Sequence, residues 1–154
     1  MKIKDIMTAE PRVATLKTNA AEAAALMLDG DCGILPIVDD EGKLAGVVTD
    51  RDLFIALATR NTRAAELRLG QVAQRTVHTC EPDDDVQEAL QTMQRYRIRR
   101  LPVAGFGGMV GGIVSMNDIM LAAGAAKGVR QSDAVHTMQA ICAHHRPVPH
   151  ITAA

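Results

Sequence analysis

Gly46-Val47-Val48-Thr49-Asp50-Arg51-Asp52 returns 66 residues later as Gly112-Ile113-Val114-Ser115-Met116-Asn117-Asp118. Holding that offset and reading backwards, Gly42 falls on Gly108 and Pro36 on Pro102. Ala23-Ala24-Ala25-Leu26-Met27 falls on Ala89-Leu90-Gln91-Thr92-Met93. Reading forwards, Ala56 falls on Ala122, and no gap is needed from Glu22/Glu88 to that point. A chance match would not hold its register while also keeping a proline, both glycines and an acid. The chain therefore carries an internal duplication.

The unit that repeats has a readable pattern. Ala20, Ala23 and Met27, like Val86, Ala89 and Met93, recur at the spacing of one helix face. Ile34-Leu35-Pro36-Ile37-Val38 reads as a short apolar strand whose proline suits an edge or a strand start. Asp39 to Lys43 is a turn and Leu44 to Val48 a second strand, so the two form a hairpin. Thr49-Asp50-Arg51-Asp52 then opens a helix reaching about Thr59. Arg12 to Leu16 and Thr76 to Cys80 are candidate extra strands ahead of the first helices. Gly105 to Gly112 lacks the Gly-Lys-Ser/Thr ending of a phosphate loop and falls, by register, on the second hairpin turn. The expected fold is α+β: two β-α-β-β-α repeats, 1–62 and 63–124, and a tail, 125–154, with a short helix. A unit of roughly 60 residues buries too little surface to stand easily alone, so the copies should share a core about a pseudo-two-fold axis. Arg60 to Gly70, charged and alanine-rich, reads as a helical connection.

Composition narrows the function. The 154 residues carry 17 basic and 18 acidic side chains, for a net charge of −1. That balance argues against a protein built to bind nucleic acid or an anionic membrane. Aromatic residues make up 2%, namely Phe54, Tyr96 and Phe106, too few for base-stacking recognition of single strands. No run of about 18 apolar residues is present to span a bilayer, and Asp5 interrupts any leader. Cys32, Cys80 and Cys142 are odd in number and widely spaced, which points to free thiols and the cytoplasm.

Two tandem units, each with an apolar-Pro-apolar strand and then Gly-x-Val ahead of Thr/Ser-x-x-Asp, resemble a pair of CBS domains, also called a Bateman module. Asp5-Ile6-Met7-Thr8 is similar to that family's leading segment, and Gln71-Val72-Ala73-Gln74 departs from it in the second copy. The resemblance runs from residue 1 to about 124, with no catalytic domain attached. It implies an adenosine compound bound in the cleft between the repeats. Thr49 and Ser115 would then lie near phosphate, and Asp52 and Asp118 would hold ribose hydroxyls. Val47 and Ile113 would line the base. Cys32 and Gly33 in one copy, and Arg99 and Arg100 in the other, would line the cleft. Arg51 and Asn117 distinguish the two helix starts. The implied ligands are AMP, ADP or ATP, with S-adenosylmethionine or NADH also among those of relatives. No cofactor is required. A homodimer and an unidentified regulated protein are the implied partners.

The residues support that chemistry on their own terms. An ionised Asp accepts two hydrogen bonds, which suits a vicinal diol. A helix N-terminus and arginine forks suit phosphate. With so few aromatics, aliphatic walls should hold the base. The same Thr/Ser-x-x-Asp pattern is also a capping box, which any helix start could carry for stability alone. The alternative is therefore a dimerisation or adaptor module with empty sites. No paired base and nucleophile recurs, so an enzyme is not expected. In the tail, Ser132 should cap a helix whose apolar stripe is Val135, Met138, Ile141, Cys142 and His145 and which Pro147 and Pro149 stop. His136, Cys142, His144, His145 and His150 raise the question of a metal. Their spacing alone defines no ligand set, and no metal site is expected.

Overall fold

Each long helix of the two repeats begins where a side chain takes over its free N–H groups. In the computed structural model, which describes residues 1–124 and 128–143, Asn19 and Glu22 close a reciprocal capping box on α1 (Ala20–Asp29). Thr49 and Asp52 do the same for α2 (Asp50–Arg60), and Ser115 and Asp118 for α4 (Met116–Ala122). Asp85 caps α3 (Val86–Tyr96) through the Gln87 N–H. The expected stripes are the buried ones: Ala20, Ala23 and Met27 on α1, and Val86, Ala89 and Met93 on α3.

The strands form two three-stranded sheets. One has the order β2 (Ala14–Thr15), β3 (Ile34–Val38), β4 (Leu44–Thr49). The other has the order β1 (Thr8–Ala9), β6 (Val110–Ser115), β5 (Arg100–Ala104). Pro36 sits inside the central β3, where a missing N–H would ordinarily break a ladder. It is tolerated because Val47, opposite it, gives both its N–H and its C=O to Gln74 instead. The glycine-rich stretch is the β5–β6 turn, with Gly107 and Gly108 at positive φ.

The strands reveal a crossing. β1 comes from the start of the chain, yet it pairs with β6 of the second repeat, Thr8 opposite Ile113. Gln74, at the start of the second repeat, pairs with Val47 of the first. Backbone bonds reinforce the exchange in register. Ile3 N–H reaches Asp84 O while Leu69 N–H reaches Thr18 O; Lys4 reaches Pro82 while Gly70 reaches Leu16. Gly46 and Gly112 are glycines because these crossing backbones lie against them. A Cβ on Gly46 would stand 2.9 Å from the Gln74 carbonyl oxygen, and one on Gly112 3.0 Å from that of Thr8. The apolar side chains cross as well. Ile3 belongs to the core of Val86, Met93, Leu101 and Ile119, and Leu67 and Leu69 to that of Ala23, Leu35, Val48 and Leu53.

Four expectations need correction. The repeats do not share one core: two separate apolar clusters form, each taking in side chains from the other repeat's leading segment. Arg60 to Gly70 is not a helix: Asn61 adopts a left-handed backbone that ends α2, and a turn and a single 3-10 turn at Leu69–Gln71 follow. Arg60, the last residue of α2, donates from its guanidinium to the Gln71 carbonyl across that turn. Thr76 to Cys80 shrinks to one bridge, Cys80 beside Val103, in place of a strand. The tail helix, α5 (Gln131–Cys142), starts from Arg130 without a side-chain cap, so Ser132 is not its N-cap. Its buried face is Ala134 and Thr137, with Met138 and Ile141 packed against the second core; Val135 is 44% exposed and Cys142 is exposed. The face is turned because α5 packs on both α3 and α4, and small residues allow the closest approach. His144, His145, His150, Pro147 and Pro149 lie outside the described residues.

Candidate functional site

The crossing produces two clefts, not one. In each, the N-terminus of a hairpin-helix from one repeat faces the segment ahead of the hairpin in the other. The larger, about 600 Å³, brings Val47, Thr49, Arg51 and Asp52 together with Arg99 and Arg100. The smaller, about 230 Å³, brings Ile113, Ser115, Asn117 and Asp118 together with Cys32. Ile34 and Arg100, equivalent positions in the repeat, line both clefts and stand between them. Of the expected residues, Gly33 lines neither. A Cβ there would be 2.7 Å from the Asp50 carboxylate, so its glycine makes room for that acid.

Thr49 and Asp52 are locked to one another. The Thr49 hydroxyl donates to Asp52 Oδ2 at 2.7 Å and accepts from the Asp52 N–H at 3.2 Å. Ser115 and Asp118 repeat the pair at 2.6 and 3.3 Å. The pairs thus cap α2 and α4 while presenting a carboxylate to each cleft.

The second ring of residues was not legible from the motif alone. Thr8, Pro11, Arg12 and Asp31 complete the small cleft, and Gln74, Val77, His78 and Arg97 hold the equivalent places in the large one. The 66-residue offset relates all four pairs, but only the crossing puts them at the other repeat's helix. The lining of the large cleft is not aliphatic throughout. His78 lines the large cleft and stacks on Tyr96, with ring centroids 3.5 Å apart and planes 16° apart. The charges also differ. The large cleft holds Arg51, Arg97, Arg99 and Arg100 against Asp50 and Asp52; the small one holds Arg12 and Arg100 against Asp31 and Asp118. Among the described residues, Arg51, Arg99 and Arg100 have no carboxylate within ion-pair distance. Arg99 instead donates toward Cys142 Sγ at 3.9 Å, and Ile141 reaches the rim of the large cleft, so α5 borders it.

The profile of the family described as the CBS domain matches residues 3–59 and 69–124. The chain is a pair of CBS domains. YlbB of Bacillus subtilis, an uncharacterised protein, is 36% identical to this CBS pair over 122 residues, 78% of the chain and 80% of that protein. Hypoxic response protein 1 of Mycobacterium tuberculosis is 30% identical over 139 residues, 90% of this chain and 92% of that one. Its crystal structure, with two coordinated zinc ions, superposes with a TM-score of 0.72 at 28% identity, covering 80% of this chain and 99% of that one. The CBS domain pair of protein MJ0100, solved with 5-methylthioadenosine and S-adenosyl-L-methionine, has a TM-score of 0.70 at 33% identity, covering 79% and 98%. Among the described residues of this CBS pair, no group of three or more His, Cys, Asp and Glu side chains could hold a metal. No described helix is long and apolar enough to cross a membrane.

The thiols of the CBS pair divide by setting. Burial, aided by the nearby Asp84 charge, pushes the Cys80 thiol up to about 12, whereas Cys142 is exposed. The thiolate is the reactive form. Alkylation of the native protein at pH 8 therefore labels Cys142 and spares Cys80 until denaturant is added. Peptide mapping that finds Cys80 modified in the native protein contradicts this.

Proposed function

We propose that the chain is a non-enzymatic regulatory module that binds adenosine-containing nucleotides in its two clefts. The observation carrying this is the repeated hydroxyl–carboxylate pair at a helix N-terminus, each facing the other repeat across a cleft. In this reading Asp52 and Asp118 accept ribose hydroxyls, and Thr49, Ser115 and the arginines meet phosphate. Val47 and Ile113 offer apolar surface to the base. The MJ0100 pair, with its adenosine ligands, supports the ligand class. AMP, ADP and ATP are the first candidates, ahead of S-adenosylmethionine and NADH.

A ligand touching both repeats favours the arrangement it binds better, and so can change what the module associates with. We assign the outward faces of α2 and α4 to a homodimer contact. Phe54 and Ile55 on one, and Met120 and Leu121 on the other, occupy equivalent positions, with Phe54 73% and Leu121 88% exposed.

The adaptor reading has its own observation: both capping boxes are complete without a ligand. Binding measurements decide between the two. Calorimetry with AMP, ADP and ATP should give saturable heat, and bound nucleotide should raise the melting temperature. Asp52→Asn and Asp118→Asn together should weaken binding by about 10- to 150-fold, the loss of roughly 1.5–3 kcal/mol expected for a charge-assisted pair. No binding, or equal binding by the double variant, leaves the acids as helix caps only.

A further inference from the structure

The acids of the two clefts are not equally available. Asp118 accepts the Ser115 N–H and hydroxyl, both on Oδ2, and Oδ1 has no hydrogen-bond partner. Among the described residues no buried polar side-chain atom lacks a partner, so this Oδ1 is not fully buried, and Asp118 lines the small cleft. Asp52 makes the same two bonds to Thr49, but Gln74 Nε2 also reaches both its oxygens, at 3.1 Å each. The residue equivalent to Gln74 is Thr8, too short to donate in that way, and no hydrogen bond joins it to Asp118.

Together with the charges, this separates the clefts by ligand. Resting on the nucleotide-binding reading above, we propose that they take different classes of adenosine compound. The small cleft takes an uncharged adenosine compound on Asp118. The large cleft takes a polyphosphorylated one, and Gln74 sets the difference. A ribose diol entering the large cleft must displace the Gln74 carboxamide from Asp52. An uncharged ligand has nothing to offset those lost bonds. A phosphate chain does: Arg51, Arg99 and Arg100 offer charge-assisted bonds in a cleft with more than twice the volume. The small cleft balances two arginines with two acids and gives a phosphate chain no such advantage.

Calorimetry on the full chain with adenosine and ATP tests the division. Adenosine should bind the wild type at one site per chain. Asp118→Asn should weaken it at least about 10-fold, and Asp52→Asn should leave it within about two-fold. Arg99→Ala, which removes a large-cleft side chain, should weaken ATP about 10-fold and leave adenosine unchanged. Gln74→Thr, copying the other repeat, should raise the adenosine stoichiometry from one to two. Thr8→Gln should weaken adenosine at the small cleft about 10-fold. Both exchanges use a residue that the same backbone position already carries in the other repeat, and retained melting curves check the fold. Adenosine at two sites in the wild type, or still at one site in Gln74→Thr, overturns the division while leaving nucleotide binding intact. Absence of heat with either ligand overturns both readings together.

Discussion

Ile3→Ala lowers the unfolding free energy by about 2–5 kcal/mol, the range for truncating a fully buried aliphatic side chain. A third residue is ordinarily among the least consequential positions in a chain. Here Ile3 has no exposed surface and packs in the core of the second repeat, among Val86, Met93 and Leu101. The segment is also pinned by bonds from Ile3 N–H to Asp84 O and from Lys4 N–H to Pro82 O. The N-terminal ammonium lies 3.4 Å from Asp85, whose carboxyl is held below the usual range, mainly by the Gln87 N–H and secondarily by that ammonium. A depressed carboxylate stabilises the fold above its ordinary pKa, and that stability is lost as pH falls through the folded value. With the Asp85 side chain 43% exposed, this acid-side loss should be small beside the Ile3 effect. Leu69→Ala, at the equivalent position, should cost a similar amount through the first core. Because the two side chains sit in separate cores, their effects should add to within about 0.5 kcal/mol. Urea unfolding of the two single variants and the double variant provides the measurement. A cost below about 1 kcal/mol for Ile3→Ala would show that the crossing contributes little.

Ending the chain after Gly128 should have a comparably large effect. It removes Val129, Ala134 and Thr137, all buried, and strips Met138 and Ile141 from the surface of α3 and α4. It also removes the bond from Gln87 Nε2 to Asp133, at 3.1 Å, that ties α5 to α3. Burial of such side chains is worth about 1.5–3 kcal/mol each when complete, so a loss of roughly 3 kcal/mol or more is expected even with partial burial. The newly bared apolar face should also promote self-association. Since Ile141 lines only the large cleft, nucleotide binding should change there and not at Asp118. Thermal unfolding and sedimentation of the truncated protein check both consequences. Unchanged melting and unchanged mass would mean that α5 is an appendage.

What the sequence determined by itself is whatever depends on neighbours along the chain. Thr49-x-x-Asp52 and Ser115-x-x-Asp118 read as helix starts because a cap and its N–H groups lie within four residues. The buried stripes of α1 and α3 follow from a 3.6-residue period. The duplication needed only a constant offset, and the family followed from the resemblance carried by its repeated apolar-Pro-apolar and Thr/Ser-x-x-Asp motifs. The tail helix was legible by existence but not by face. The expected stripe put Val135 inward, and contact with two helices at once turned Ala134 inward instead. The crossing was not legible at all. Ile3 and Leu69 are equivalent in sequence, and nothing local says that each enters the other repeat's core. That assignment buries Ile3, Leu67 and Leu69 in the core of the repeat other than their own, a property of no single segment. The site inherits the same dependence. Cys32 belongs with Ser115 and Asp118, and Arg99 with Thr49 and Asp52, because the pseudo-two-fold axis lays the start of one hairpin against the helix of the other repeat. Gln74 could be seen as the partner of Thr8 by counting. That its amide closes on Asp52, while Asp118 stays open, was decided only when the two repeats packed.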